Sequence, residues 1–417
     1  LLHALAALRP AYGFRLTAIH VDHGLHPESG FWAHHCTAVC ENLGIPVVVE
    51  VVRVERATGK GLEAAARHAR YAALARHLGP DETLLTAHHQ DDQAETVLLH
   101  LARGTGMQGL AAMPEKTRFQ GAWQVRPLLN FSRAELRSYA LAENLRWIDD
   151  PSNTDTHYRR NLLRLTVLPQ LAQTWPQVTA ALARTARHAR DCADLLDDVA
   201  RQDVRACQDR ALPGVLSIGA LVQLTPARQR NLVRYWLRTL GHAAPSAQHL
   251  DDLLAGLAQP TRSGHGRYTW PGTEIRRYRD QLHAMRPLAT STRGYDLAWD
   301  LTTPLALPDD IGCLRWKETV GQGLARARLL HGPVRVRARS GGEVCRRAGR
   351  PFHQRLKKML QECGVAPWWR ERLPLIYVGD ALVAVADLWV CEPYAATAGE
   401  EALRIVWERA PEAPATD

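Results

Sequence analysis

The segment His88-His89-Gln90-Asp91-Asp92-Gln93-Ala94-Glu95-Thr96 gathers two imidazoles and three carboxylates between a strand-like run and a helical one. If the helix starts near Asp91, Asp92 and Glu95 stand three apart and share a face, while the histidines precede the first turn. Groups of that kind can hold Mg²⁺ and the phosphates of a nucleotide. The same carboxylates also suit the positive end of a helix, where acids stabilise by about 0.3 to 1 kcal/mol. Two histidines at a strand's end favour the site modestly. A second cluster, His20-Val21-Asp22-His23-Gly24-Leu25, ends the first strand-like run. It reads equally as a nucleotide-binding loop, with Gly24 letting backbone approach a ligand, and as a polar turn. Arg103-Gly104-Thr105-Gly106 follows the His88 helix and serves at least as a helix stop. Its Arg103 is expected to reach the same rim. Asp149-Asp150-Pro151-Ser152-Asn153, then Tyr158-Arg159-Arg160-Asn161 and Arg164, combine an acidic turn with arginines. A solvated helix start and a substrate contact explain that group about equally well.

These residues need elements to position them. In the first third, strand-like runs at 15–21, 47–52 and 83–87 alternate with helical spacing at 32–43, 61–77 and 92–103. The 47–52 run is almost wholly apolar, which suits a strand buried on both faces. Alternation of this kind predicts an α/β fold with a Rossmann-like parallel sheet, whose ligands bind beyond the carboxyl ends of the strands. Both histidine clusters fall at that edge. Ser132 followed by Glu135 has capping-box spacing for a helix reaching about Glu143. Residues 158–209 are helical, broken near Trp175-Pro176, and 226–257 form a second helical block. The 261–329 stretch reads as short strands or a linker, and a basic helix is expected over 352–363, with strands at 375–378 and 381–385.

The chain has 417 residues and a net charge of +9, placed unevenly. Residues 334–373 hold eleven basic and three acidic side chains, a net +8. A basic surface of this size attracts polyanions, most often nucleic acid. Basic residues are 47 Arg and 5 Lys, a skew that codon composition also explains, so position is more telling than residue type. Eight cysteines without a C-x-x-C pair make neither a disulfide scaffold nor a zinc finger, which fits free thiols in the cytosol. Cys36 and Cys40 stand four apart without a second ligand pair. No apolar run approaches a membrane span, and residues 1–8 are too short for a signal peptide. Trp368 and Trp369, beside Pro367 and Leu373, read as core rather than as a platform for a base.

HVDHGL at 20–25, GLEAAARHARYAAL at 61–74, TAHHQDDQAETVLLHLARGTGMQGLAAM at 86–113, PLLNFSRAEL at 127–136 and WIDDPSNTDTHYRRNLLR at 147–164 strongly resemble the tRNA(Ile)-lysidine synthases. LKKMLQECGVAPWWRERLPLIYVGDALVAV at 356–385 resembles the C-terminal domain of that family's longer members. The resemblance implies an N-type ATP pyrophosphatase domain over 1–190, a helical tRNA-binding domain over 191–290, a linker or small strands over 291–333, and a small, basic α+β tRNA-binding domain over 334–410. It implies a cytoplasmic ligase that uses ATP and Mg²⁺. ATP adenylates the C2 carbonyl of the wobble cytidine in tRNA(Ile) with a CAU anticodon, and L-lysine then displaces AMP. By the same resemblance Asp92, Glu95, Asp91 and His88 are catalytic, with Asp92 and Glu95 toward the metal. His20, Asp22, His23, Gly24, Arg103 and Gly104 border the nucleotide. Arg70, Arg160, Asn161, Arg164, Arg346, Arg347, Lys357 and Lys358 contact substrate. A homodimer is compatible with this reading; DNA and membrane partners are not expected.

Members of the family begin with a strand and a Ser-Gly-Gly-x-Asp-Ser phosphate loop, whereas this sequence starts at Leu1, inside what looks like the following helix, without an initiator Met. The expectation is that the sequence as written lacks that loop and does not catalyse. Ser340-Gly341-Gly342-Glu343 is a decoy for it, lacking the Asp-Ser and lying in the basic tail. Two alternatives accompany the ligase reading: a tRNA thiolation enzyme of the same superfamily, disfavoured by the missing C-x-x-C, and an inactive RNA-binding protein.

Overall fold

A computed structural model describes residues 1–54, 62–79, 81–209, 212–259, 265–288, 294–308 and 311–409. Gly61 of the expected 61–77 helix, and residues 261–264, 289–293 and 309–310 of the expected strand-or-linker stretch, lie outside the described residues. The chain divides into two compact units, Leu1–Asp198 and Val199–Thr416.

In the first unit, strands and helices alternate as their hydrophobic spacing predicts. Strand Ala18–Asp22 pairs in parallel with Val47–Val51, and helix Ser29–Asn42 makes the crossover. The third expected strand does not join that pair. Thr83–Leu85 instead pairs in parallel with Ala122–Val125, which also pairs antiparallel with Lys116–Phe119. The α/β class holds, but the parallel strands form two separate sheets among the described residues. The Phe119-to-Ala122 turn is two residues long, with Gln120 and Gly121 both at positive φ (47° and 83°), the signature of the hairpin turn that matches strand twist. Helix Arg133–Ala142 opens on the expected capping box: Ser132 Oγ accepts from the Glu135 amide at 3.2 Å, and Glu135 Oε2 accepts from the Ser132 amide at 2.7 Å.

The break near Trp175-Pro176 is present, between helices Leu168–Thr174 and Val178–Cys207. In the second unit, helices Pro226–Thr239 and Ala247–Ala258 pack with the meander His265–Trp270, Thr273–Tyr278 and Gln281–Met285 around buried Leu232, Trp236, Leu250, Leu253 and Ile275. The tail forms a five-stranded and a four-stranded antiparallel sheet. Its expected basic helix is shorter, Leu356–Glu362, because Gln354–Arg355 is a strand paired with Val344–Cys345. Trp368 is 8% exposed and meets Tyr278 edge to face, in agreement with the core reading. Among the described residues, no helix is long and apolar enough to cross a membrane.

Trp236 is 2% exposed and its indole N–H donates to the Gly214 carbonyl at 2.9 Å. Truncation leaves a cavity and an unpaired carbonyl, so Trp236→Ala is expected to cost about 3 to 5 kcal/mol in urea unfolding. A cost below about 1 kcal/mol would show that the second unit's core collapses freely onto the gap.

Candidate functional site

The His88–Glu95 segment folds as its spacing predicts, with helix Gln90–Leu101 starting after His89. Asp92 Oδ2 accepts from the His89 amide at 3.0 Å, closing the helix start. Asp91 Oδ2 accepts from the Arg133 amide at 2.8 Å, where the next helix begins. Burial would raise the Asp91 carboxyl; hydrogen bonds from His89 and the Arg133 amide outweigh it and hold the carboxyl below its ordinary value.

Glu95, one turn on, is 0% exposed and surrounded by arginine. Arg160 Nε donates to Oε2 at 2.7 Å, and Arg164 donates through Nε to Oε1 at 2.7 Å and through Nη2 to Oε2 at 3.2 Å. Arg164 Nη2 also reaches Asp92 Oδ1 at 3.2 Å, and Arg160 Nη2 reaches the Thr96 hydroxyl at 3.1 Å. Burial alone would lower the Arg164 guanidinium, yet Glu95 and Asp92 raise it, so it stays firmly charged. Arg160 comes from helix Arg159–Leu162 and Arg164 from the wide π turn Leu163–Val167 into which it runs without a break, followed by Leu168–Thr174. Wide turns of this kind re-aim side chains within a helix. Nη1 of both arginines has no hydrogen-bond partner among the described residues.

This arrangement does not fit the expected Mg²⁺ on Asp92 and Glu95. Both Glu95 oxygens are committed to guanidinium groups, and a divalent cation there would face two fixed positive charges. Among the described residues, no group of three His, Cys, Asp or Glu side chains can hold a metal.

His88 lies at the head of a second polar chain. Its Nδ1 is 3.0 Å from the Thr86 hydroxyl; Gln124 Nε2 donates to Thr86 Oγ1 at 3.2 Å and to the Tyr71 hydroxyl at 3.3 Å. Arg126 Nη2 donates to Gln124 Oε1 at 2.9 Å, and Nη1 donates to the Pro114 carbonyl at 2.8 Å. Gln124 and Arg126 are 3% and 6% exposed. Burial lowers the His88 imidazole to about 4; Arg126, Arg160 and Arg67 add to the effect and Asp92 opposes it. The ring is therefore neutral near pH 7.

His88 lines a cavity of about 1370 Å³ in the first unit, together with His20, Arg70, Thr86, Trp147 and Asp150. Its walls take residues from both sheets and from their amino-terminal approaches, at 14–21, 47–48 and 81–88, so it runs along these strands and is not confined to the expected carboxyl edge. Burial lowers His20, and it lowers His23 with help from Arg70. Asp22 Oδ1 accepts from the Gly24 amide at 2.8 Å, and Gly24 has φ +59°, so this segment is a compact turn at the strand end. Arg103 and Gly104 are exposed at the far end of helix Gln90–Leu101, roughly 16 Å along the axis from Asp92. The structure does not bring them to the His88 rim as expected. Asn161 is buried, and its Nδ2 donates to the Ser152 and Asp155 carbonyls at 2.9 Å each, pinning the acidic turn. In the tail, Arg347, Lys357 and Lys358 are exposed and Arg346 is half-buried. Ser340 and Gly341 spend their amides on Glu343 Oε1 at 2.7 Å each, so the chain's own carboxylate fills that would-be phosphate loop.

Residues 1–171 match the PP-loop domain family, 216–283 the TilS substrate binding domain and 334–407 the TilS substrate C-terminal domain. The tRNA(Ile)-lysidine synthase of Coxiella burnetii is 39% identical over 96% of this chain and 88% of its own length. That of Alkalilimnicola ehrlichii is 42% identical over 96% and 89%, and that of Pectobacterium atrosepticum 40% identical over 98% and 92%. The chain belongs to the tRNA(Ile)-lysidine synthase family. Among solved structures, the U34-tRNA thiolase NcsA from Methanococcus maripaludis aligns at 16% identity and TM-score 0.36, covering 44% of this chain and 67% of that one.

Within this lysidine synthase family member, the structure joins Asp92, Glu95, Arg160 and Arg164 in one network and ties His88, which the sequence also singled out, to Thr86, Tyr71, Gln124 and Arg126, which it did not. A signal was present: Gln124 and Arg126 interrupt an apolar run at alternate positions, where a strand buries one face.

His88 and His283 are both pushed down to about 4 from the ordinary 6.5, burial being the first cause for each. Between those pH values the unfolded chain binds protons that the native rings refuse, so stability falls as pH drops from about 6.5 toward 4. Urea midpoints measured across this range should decline less steeply for His88→Gln than for wild type. Parallel curves would show that the native His88 ring titrates at its ordinary value.

Proposed function

We propose that the activity of this family member is the ATP-dependent joining of L-lysine to C2 of the wobble cytidine of tRNA(Ile) with a CAU anticodon, through an adenylated tRNA. The observation carrying the proposal is the pair Arg160 and Arg164, docked on buried Glu95 and Asp92 with one nitrogen each unspent. A carbonyl oxygen attacking phosphorus requires fixed positive charge around the transferred group, and positioning with electrostatics supplies most of the acceleration. In this proposal Glu95 and Asp92 anchor the arginines, which offer their remaining donors to phosphate oxygens or to the activated base. His88, neutral and facing the cavity, meets the reacting atoms. His20 and Arg70, on the same cavity wall, border the nucleotide with the Asp22–Gly24 turn, and Asn161 shapes the turn beside it. The domain limits 1–190, 191–290 and 334–410 belong to the same proposal, with the last two on tRNA.

In the full-length protein, Asp92→Ala should reduce lysine- and tRNA-dependent AMP release by at least about a hundredfold while circular dichroism stays native, because Arg164 loses one of its two anchors. Turnover within about threefold of wild type would remove Asp92 from the site.

The tail offers the polyanion surface. Lys357 and Lys358 sit on the exposed face of helix Leu356–Glu362, whose other face buries Leu356, Met359 and Leu360. Reversing Arg346, Arg347, Lys357 and Lys358 together should weaken tRNA binding and flatten its dependence on log salt by roughly 0.7 to 0.9 per lost phosphate contact. An unchanged slope would assign the tail charge to something other than tRNA.

A further inference from the structure

One assignment of hydrogens along the polar chain behind His88 gives the Thr86 hydroxyl proton an acceptor. A guanidinium can only donate, so the Gln124 oxygen must face Arg126 Nη2 at 2.9 Å, and the Gln124 NH₂ must face Thr86 and Tyr71. Thr86 Oγ1 therefore accepts from Gln124 and keeps its own proton to give away. Among the described residues, the only acceptor in reach of that hydroxyl is His88 Nδ1, at 3.0 Å. A neutral imidazole whose Nδ1 accepts carries its proton on Nε2. Nε2 has no protein partner among the described residues, and the ring lines the cavity. Arg126 is itself held rigid by the Pro114 carbonyl and, at 6% exposure, is shielded from water that would scramble the order.

We propose that Arg126, Gln124 and Thr86 are positioning residues that fix His88 as its Nε2–H tautomer, so that His88 faces its ligand as a hydrogen-bond donor to an oxygen acceptor and not as a base. The tautomer stands on the geometry alone; its consequence for turnover rests on the ligase reading above. Under that reading the acceptor is an oxygen that gains negative charge during adenylation, a phosphate or carbonyl oxygen. A preorganised donor there stabilises the transition state more than the ground state.

The test is ¹⁵N NMR of histidine-labelled full-length protein at pH 7, with His88 assigned by difference against His88→Gln. Wild type should show a protonated Nε2 and a bare Nδ1. Gln124→Glu keeps a partner for Arg126 but cannot donate to Thr86. The hydroxyl then turns toward the new carboxylate, and the His88 proton should move to Nδ1. Thr86→Val, which removes the hydroxyl without changing shape, should give a mixture of both forms, and Thr86→Ser should restore the wild-type signal. Gln124→Glu should lower kcat about a hundredfold with the KM for ATP changed less than about threefold. A protonated Nδ1 in wild type, or a spectrum unmoved by both Gln124→Glu and Thr86→Val, overturns the proposal. Failure of the ligase reading looks different: wild type would release no AMP in response to lysine and tRNA, while the NMR result stood.

Discussion

A carboxylate with no access to water and two guanidinium groups closed around it is the constraint on which the first unit's site depends. Glu95 cannot be buried without its partners, because an uncompensated ion in the interior costs several kcal/mol. Its partners come from a helix more than sixty residues further along the chain. Burial of one side chain therefore dictates where the Arg159–Leu162 segment docks, and with it the wide turn that follows. Breaking such a pair from either side is costly, whereas forming it adds little net stability over an apolar contact. What it does supply is place: the two arginines are oriented before any ligand arrives.

The second polar chain works by other means. Among the described residues, Arg126 meets no carboxylate; its hydrogen bonds go to a carbonyl and an amide, and burial pulls its guanidinium below the ordinary value. Arg160 and Arg164 place charge beside Asp92 and Glu95, whereas Arg126 connects through neutral groups to His88. Charge and hydrogen-bond polarity thus reach the site by separate routes, one across helices and one along strand Ala122–Val125.

The sequence made the site's charged members legible because they are concentrated: His88 to Glu95 occupy one strand-to-helix junction, and Arg160 and Arg164 share a helical face. Period and caps located the helices, the Ser132 box among them. Two things were not legible. Glu95 looks like a metal ligand in one dimension, and only the docking of residues 159–167 shows its oxygens already taken. The 83–87 run reads as part of one parallel sheet with 15–21 and 47–52, but strand pairing is set by long-range packing that periodicity does not encode, and its partner proved to be Ala122–Val125. Gln124 and Arg126 escaped notice for the same reason, since their meaning depends on lying beside Leu84 and Thr86.

The two-residue turn at Gln120 and Gly121 therefore matters beyond the hairpin it closes. Because side chains alternate along a strand, inserting or deleting one residue there would exchange the faces of Ala122–Val125. After an insertion Trp123 and Val125 would occupy the positions of Gln124 and Arg126; after a deletion Val125 and Pro127 would. No charged group would be lost and the sheet could still form, yet the His88 imidazole would lose its orienting partner. Tolerance of length changes, ordinarily a property of surface loops, should be absent at this exposed corner of the molecule.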